Sequence, residues 1–259
     1  MTRLHVHRFG PAGPVRLLAL HGLTGHGQRW EHLTSRYLPE ISVAAPDLIG
    51  HGHSSWDAPW TIDANVAALA ELLDSAADEP VAIVAHSFGS AIAMSLAAAR
   101  PDRVRGLVLL DPAVGLDGGW MLEIADAMLA SPDYTDVAEA RAAKTNGSWK
   151  GVDAAVVDTE LDQHLVMLPG GRCTWRLSLP AMMAYWSELS RDTVLPPKGT
   201  HTTLVQAAHT SPSYVTEQLV TALQQHLGGD FRHLTFDCDH MVAETKPAEV
   251  AALIHELVV

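Results

Sequence analysis

The sequence predicts an α/β protein whose mostly parallel central sheet is flanked by helices. Up to about residue 112, strand-like apolar runs alternate with helix-like runs, as a parallel sheet requires. Residues 114–197 then show helical patterns separated by glycines and prolines, and the alternation resumes at Thr202. We therefore predict a core made of residues 1–113 and 198–259, and an inserted helical cap made of residues 114–197.

Length and composition support this interpretation. A chain of 259 residues with 47% hydrophobic residues can bury one large core. Its formal net charge of -13 disfavours a nucleic-acid partner. The first residues do not show the charged start and apolar stretch of a signal peptide, and no apolar run approaches the length of a membrane span. We expect a cytoplasmic protein without a membrane span.

The first buried strand is predicted over Val15 to Leu20, and His21-Gly22-Leu23-Thr24-Gly25 follows it. Glycines after a strand let the backbone bend back over the end of the sheet. The N–H group of Leu23 can then point towards an oxygen that gains negative charge during a reaction. A plain glycine turn would have the same sequence pattern.

The next apolar stretch, Ile41 to Ala45, leads into a glycine-rich loop that begins at Asp47. We expect Asp47 to hydrogen-bond its own loop and assign it no chemistry. Trp56 and Trp60 follow this loop near the sheet end. With Phe88 they are candidates for the wall of a substrate pocket.

Ser87 stands between an apolar run, Val81 to His86, and an alanine-rich stretch, Ala91 to Ala99. This pattern predicts a buried strand, a tight turn and a helix, with the serine hydroxyl raised above the sheet end. Such a turn needs small residues two positions before and after the serine, and Ala85 and Gly89 occupy them. A hydroxyl in this position is typical of a nucleophile in acyl transfer, although the same pattern occurs in ordinary strand–helix turns. The N–H of Phe88 would be a second donor to the oxyanion.

His240 lies between a strand pattern, Phe231 to Phe236, and a helix pattern, Pro247 to Val258. A loop histidine at this place in the chain can serve as the general base for Ser87.

Together these segments resemble the α/β-hydrolase fold family, and more closely its small actinobacterial serine lipases and carboxylesterases with a helical cap. The resemblance covers nearly the whole chain. It implies a central sheet with an inserted cap, a catalytic triad of nucleophile, acid and histidine, and an oxyanion hole. The elbow departs from the family pattern G-x-S-x-G at one position, because Ala85 replaces the first glycine.

The acid of the catalytic triad is the second feature in which this sequence departs from the family pattern. The family usually places it after the strand that follows the cap, but the matching stretch, 202–212, contains no carboxylate, and Thr210 or Ser211 occupies the slot. Asp111, at the end of the predicted strand after the nucleophile helix, is the preferred alternative, and it would also suit an ordinary strand terminator. Asp237 and Asp239 remain candidates, as does a Ser–His pair without an acid.

Large apolar residues of the cap, Trp186 among them, can line a pocket for acyl chains, although their helical spacing is more typical of packing. We therefore predict a hydrolase of small apolar carboxylic esters. The alternatives are a hydrolase of thioesters or C–C bonds with the same machinery, and a capped-pocket ligand receptor with little turnover.

No cofactor is predicted, because the first strand lacks the G-x-G-x-x-G turn of dinucleotide sites. Two histidine pairs, His5-Val6-His7 and His51-Gly52-His53, show no obvious third ligand in the sequence, so no metal site is predicted either.

Overall fold

The computed structural model describes residues 3–258, and it confirms the predicted α/β class. The strands are β1 (Val6–Phe9), β2 (Leu17–Leu20), β3 (Val43–Pro46), β4 (Val81–His86), β5 (Val104–Leu110), β6 (Leu165–Met167), β7 (Cys173–Trp175), β8 (His201–Ala207) and β9 (Phe231–Phe236). The helices are α1 (Glu31–Tyr37), α2 (Ile62–Ala76), α3 (Phe88–Ala99), α4 (Gly118–Ala130), α5 (Val137–Asn146), α6 (Ala154–His164), α7 (Leu179–Glu188), α8 (Glu217–Leu227), α9 (Val242–Thr245) and α10 (Pro247–Val258). Within residues 3–258, none of these helices has the length and apolar character needed to cross a membrane.

The central sheet has seven strands in the order β1-β3-β2-β4-β5-β8-β9. Strand β1 runs antiparallel to β3, and the other neighbouring strands are parallel. The carboxyl ends of the parallel strands therefore meet at one edge of the sheet. This edge is where ligand sites of open α/β sheets form.

Both faces of the sheet are buried, which explains the nearly continuous apolar runs of its inner strands. Successive side chains of a strand point to opposite faces. In β4, Ile83 and Ala85 join the apolar cluster on one face, while Ala82 and Val84 join the cluster on the other. Helices α2 and α3 pack on the first face, and α1 and α10 pack on the second.

The segment between β5 and β8 carries four helices, α4 to α7, where the sequence shows helical patterns. Each of them begins after a side chain that accepts a backbone N–H of its first turn. Such caps satisfy donors that a helix leaves unpaired and define where it starts. The capping residues are Asp117, Asp136, Asp153 and Ser178.

This segment, predicted as a helical cap, is not entirely helical. Strands β6 and β7 form a small antiparallel hairpin, with Leu165 opposite Trp175. Each strand has only three residues, which is too short to show an alternating pattern in the sequence. The turn contains Gly170 and Gly171, whose φ angles of 84° and 86° are readily adopted only by glycine. The division at 113/114 and 197/198 stays a prediction.

Helix α3 packs closely against the end of β2, and Gly89 allows this approach. A Cβ atom at Gly89 would lie 2.6 Å from the carbonyl oxygen of His21 and 2.7 Å from that of Leu20. Both are backbone atoms at the sheet edge, which cannot move without displacing the strand.

We therefore expect Gly89→Ala to lower the free energy of unfolding by about 1–3 kcal/mol, as overpacking does, despite the better helix propensity of alanine. Urea unfolding followed by circular dichroism measures this loss. Gly229→Ala is the control, because a Cβ there would meet no atom of the described residues within 4 Å. Equal stability of Gly89→Ala and the parent chain would contradict the close packing.

Candidate active site

Ser87 occupies the turn between β4 and α3, as predicted. Its φ of 52° is unusual for a residue other than glycine and turns the chain sharply from strand to helix. Its N–H donates to the carbonyl of Leu110 at 3.0 Å, which fixes the turn to the end of β5. The side chain is nearly enclosed, since the residue is only 8% exposed. Phe88 begins the helix, so its N–H is one of the donors that a helix leaves without an internal partner.

The loop after β2 lies directly against this turn. A Cβ atom at Gly22 would lie 3.0 Å from the Cβ of Ser87 and 2.9 Å from Nδ1 of His86. Leu23, the predicted oxyanion donor, is therefore the residue after this close approach and is half-buried. The next residue, Thr24, has a φ of 59°.

His21 holds this loop in place. Its Nε2 accepts the N–H of Leu48 at 3.0 Å, and its Nδ1–H donates to the carbonyl of Gly22 at 2.8 Å. Burial, reinforced by the neighbouring His51, keeps the pKa of His21 well below its usual range. The imidazole is therefore neutral, and its two backbone partners define the tautomer. Its role is to fix the loop.

Asp111 and His240 meet at the carboxyl edge of the sheet. Nδ1 of His240 lies 2.7 Å from Oδ2 of Asp111, although 129 residues separate them in sequence. Asp111 is fully buried, and its φ of 41° marks a second sharp turn at a strand end. Because Nδ1 donates to this carboxylate, Nε2 of His240 is left able to accept a proton. The other candidate acids do not share this contact: Asp237 pairs with His209 at 2.9 Å on the surface.

The loop after β8 completes the surroundings of the Asp111 carboxylate. The N–H of Ala207 donates to Oδ1 at 3.1 Å, and the hydroxyl of Thr210 donates to Oδ2 at 2.9 Å. Thr210, one of the two residues that the sequence offered for the slot of the family's acid, thus hydrogen-bonds the carboxylate that follows β5. The sequence placed Thr210 or Ser211 in this slot but did not show the hydrogen bond.

His86 connects the serine turn with the histidine loop. Its Nε2–H donates to the carbonyl of His240 at 2.9 Å, and the two imidazole centroids are 4.4 Å apart. Burial, followed by the proximity of His240, keeps the pKa of His86 well below its usual range. Since His86 directly precedes Ser87, this contact brings the His240 loop beside the serine.

The predicted pocket residues take different positions. Trp56 is 45% exposed, and its indole N–H donates to the carbonyl of Gly52 in the same loop. Trp60 and Trp186 are half-buried and pack against the main apolar cluster. Phe88 is fully buried against Tyr185 of α7, with ring centroids 4.6 Å apart. Phe88 thus packs the inserted segment onto the core.

Sequence reasoning missed two aromatic residues beside His240. The ring of Tyr214 lies 4.7 Å from the imidazole, and Trp120 of α4 stacks on Tyr214 at 5.3 Å. The two residues are 94 positions apart, so no sequence pattern pairs them. Together they form an apolar wall next to the histidine.

A buried ionic cluster attaches the inserted segment to the loop that carries Leu23. The carboxylate of Glu160, on α6, contacts Arg29, Lys144 and His26. Arg29 also donates to the carbonyl of Thr24 at 3.4 Å. Trp149 and Trp175 cover the ammonium of Lys144 at 4.4 and 3.8 Å. These tryptophans therefore pack on cations.

Glu244, on α9, lies at the edge of this cluster and is half-buried. Burial raises the pKa of Glu244 to about 7, and Glu160 adds to this effect while Arg29 opposes it. The carboxyl is thus protonated in the folded protein at a pH where a glutamate of an unfolded chain is ionised.

The sequence profile of the alpha/beta hydrolase family matches residues 17–253, and the chain belongs to this family. It is 64% identical over 251 residues to lipase LipV of Mycobacterium tuberculosis (strain ATCC 25618 / H37Rv), and the match covers 97% of this chain and 96% of that lipase. The predicted family is confirmed. A named lipase at this identity supports the predicted class of ester-cleaving hydrolases.

Solved structures agree on the fold. The crystal structure of E-2-(acetamidomethylene)succinate hydrolase matches with a TM-score of 0.82 at 21% identity, covering 100% of this chain and 98% of that one. A marine microorganism esterase matches with a TM-score of 0.77 at 19% identity, covering 99% and 100%. At these identities the likeness confirms the architecture.

Glu244 makes stability depend on pH. Between about pH 4.5 and pH 7 the folded state holds a proton that the unfolded state has lost, so this residue stabilises the fold at low pH, and its contribution is lost as pH rises through 7. The side chain of Gln has no such proton to lose. We therefore expect the free energy of unfolding of Glu244→Gln, relative to that of the parent chain, to increase by about 1–3 kcal/mol when the pH is raised from 5 to 8. Denaturant unfolding at both pH values measures this, with the exposed Glu249→Gln as control. A difference between variant and parent that does not change with pH would contradict the assignment.

Proposed function

We propose that the protein is a serine hydrolase that cleaves carboxylic esters through an acyl-enzyme on Ser87. The observation that carries this proposal is the 2.7 Å contact between His240 Nδ1 and Asp111 Oδ2, formed beside the turn that presents the serine. Family membership and the identity to a named lipase support the same class.

In the proposed mechanism, Ser87 Oγ attacks the ester carbonyl carbon while Nε2 of His240 takes the hydroxyl proton. Asp111 holds the imidazole in the required tautomer and stabilises the imidazolium. The tetrahedral intermediate collapses, the C–O bond of the ester breaks, and His240 donates its proton to the leaving alcohol. Water then attacks the acyl-enzyme with His240 again as base, which releases the acid and restores the serine.

The oxyanion is proposed to bind the N–H groups of Leu23 and Phe88. The close approach of Gly22 to Ser87 and the position of Phe88 at a helix start support this assignment. One donor of this kind lowers the barrier by about 3 kcal/mol. His21 and the Glu160 cluster would keep the Leu23 loop in position.

The substrate class is proposed to be small apolar esters. The aromatic wall of Tyr214 and Trp120 beside His240, and the low exposure of Ser87, support an uncharged substrate held away from water. An ester panel of increasing acyl length, with thioester and C–C bond analogues, distinguishes this class from the alternative hydrolases. A receptor with little turnover would give at most a single burst. The cytoplasmic location and the absence of a nucleic-acid partner stay predictions.

Labelling with a fluorophosphonate followed by peptide mapping tests the nucleophile and its base together. We expect modification at Ser87 in the parent chain, and loss of modification in Ser87→Ala and His240→Ala. His209→Ala is the matched control, because His209 also pairs with an aspartate but lies on the surface. Labelling that persists in His240→Ala would rule out this base.

Substitutions around the carboxylate test the acid. Asp111→Asn should lower kcat by about 10⁴, as loss of a triad acid does, whereas Asp237→Asn and Asp239→Asn should leave it within a few-fold. Thr210→Val removes one hydrogen bond to the charged carboxylate and should lower kcat about tenfold with little change in KM.

Thr210→Ser keeps the hydroxyl and should restore most of the activity, and Thr159→Val, on an exposed helix face, is the control for the threonine substitution. Full activity of Asp111→Asn would place the acid elsewhere. Equal activity of Thr210→Val and Thr210→Ser would show that the hydroxyl does not position Asp111.

A further inference from the structure

Three side chains from two parts of the sequence converge beside the edge strand β1 of the sheet. His5 and His7 come from the N-terminal strand region, and Asp47 follows β3. One ligand atom of each of these side chains lies within 4.8 Å of the others. The sequence showed the two histidines without a third ligand, and the fold supplies it. We propose that His5, His7 and Asp47 form a binding site for one divalent transition-metal ion of the zinc class.

The spacing of the ligand atoms suits such an ion. Nε2 of His7 and Oδ1 of Asp47 are 3.4 Å apart. Ligands that surround zinc tetrahedrally at 2.0–2.1 Å lie about 3.4 Å from one another. His5 directly precedes β1 and His7 lies on it two residues further on, and their ring centroids are 4.6 Å apart.

The backbone holds these residues in place before any ion binds. The N–H of Asp47 donates to the carbonyl of His5 at 2.9 Å. His7 pairs with Ala45 in the β1–β3 ladder. The N–H of His5 also donates to the hydroxyl of Ser54 at 2.8 Å. His7 thus lies on the ladder, and His5 and Asp47 are bonded to each other one residue beyond its end, which gives a preformed site and limits the ordering cost of binding.

The carboxylate of Asp47 has the outer contacts that metal ligands have. It is fully buried, and it accepts the N–H of Gly27 at 2.7 Å and the N–H of His53 at 2.8 Å. Such hydrogen bonds orient a ligating carboxylate, and Oδ1 also lies 3.4 Å from Nε2 of His7. These contacts also confirm the expectation that Asp47 bonds its own loop.

The set of donor atoms selects the ion. Two imidazoles and one carboxylate suit zinc, nickel or copper, whereas magnesium and calcium prefer sites made of oxygen. The imidazole of His53 lies 5.3 Å from that of His5 and is exposed. It, or a water molecule, can take the fourth position. A bound ion would join the β1 region to the loop after β3.

Calorimetric titration of the tag-free, chelator-treated chain with zinc chloride tests the site. We expect one ion per chain with a dissociation constant in the micromolar range or below. His5→Gln and His7→Gln should each weaken zinc binding at least about tenfold. Even the loss of a residue that only hydrogen-bonds a metal ligand lowers metal affinity by about this factor. Zinc should also raise the Tm of the parent chain, because it binds the folded state, and this rise should be absent in His5→Gln. Magnesium chloride should produce neither effect.

His209→Gln and His201→Gln are the matched controls, because each of these exposed histidines also lies beside an aspartate, at 2.9 and 3.1 Å. Both should bind zinc like the parent chain. His5→Gln leaves the contact of His7 with Asp47 intact. If circular dichroism shows that this variant is folded, weaker zinc binding reports the loss of a ligand and not misfolding. Unchanged affinity in His5→Gln and His7→Gln, or an equal loss in the controls, would overturn the site, as would no binding to the parent chain. None of these measurements depends on ester hydrolysis.

Discussion

The buried carboxylate of Asp111 is the feature on which the carboxyl edge of the sheet depends. An ionised group without solvent is tolerated only where donors surround it. Its donors come from His240, from Thr210 and from the backbone of Ala207, while Asp111 itself directly follows β5. The order β5-β8-β9 makes these three strand ends neighbours. Satisfying one charge therefore fixes three loops relative to one another, and the imidazole is aligned as a result.

The same edge contains three residues other than glycine with a positive φ: Thr24, Ser87 and Asp111. Each costs about 1–2 kcal/mol relative to ordinary backbone and persists only where neighbouring contacts enforce it. The N–H of Ser87 is bonded to Leu110, and that of Asp111 to Val205, so the regular sheet holds both turns. Backbone strain of this kind is typical of functional sites, where a sharp turn at the end of a strand positions a side chain above the edge of the sheet.

The sequence was sufficient for the fold class and for the strand–turn–helix at Ser87, because both rest on local periodicity. His240 could be proposed from its position between a strand and a helix. The acid could not be decided, since strand order determines which carboxylate faces the imidazole, and sequence does not encode that order locally. For the stretch that contains Thr210, the sequence revealed that a carboxylate was absent, but not that the Thr210 hydroxyl bonds Asp111. The Glu160 cluster and the pair of Tyr214 and Trp120 join residues up to 134 positions apart, so no short pattern reveals them.

The inserted segment and the loop that carries Leu23 are coupled by charge. Glu160 of α6 binds Arg29, and Arg29 reaches the carbonyl of Thr24 beside Leu23. Removing one partner of a buried ion pair leaves an uncompensated charge, which costs far more than the pair contributes. The segment therefore cannot leave this position without exposing Glu160 and Arg29 to water together. On the other side of the serine, Tyr185 packs on Phe88 and donates its hydroxyl to Ile49. Polar contacts at Glu160 and apolar contacts at Tyr185 thus hold the inserted segment against the core. The same contacts hold the Leu23 loop and Phe88, so they determine both the position of the inserted segment and the geometry of the proposed oxyanion donors.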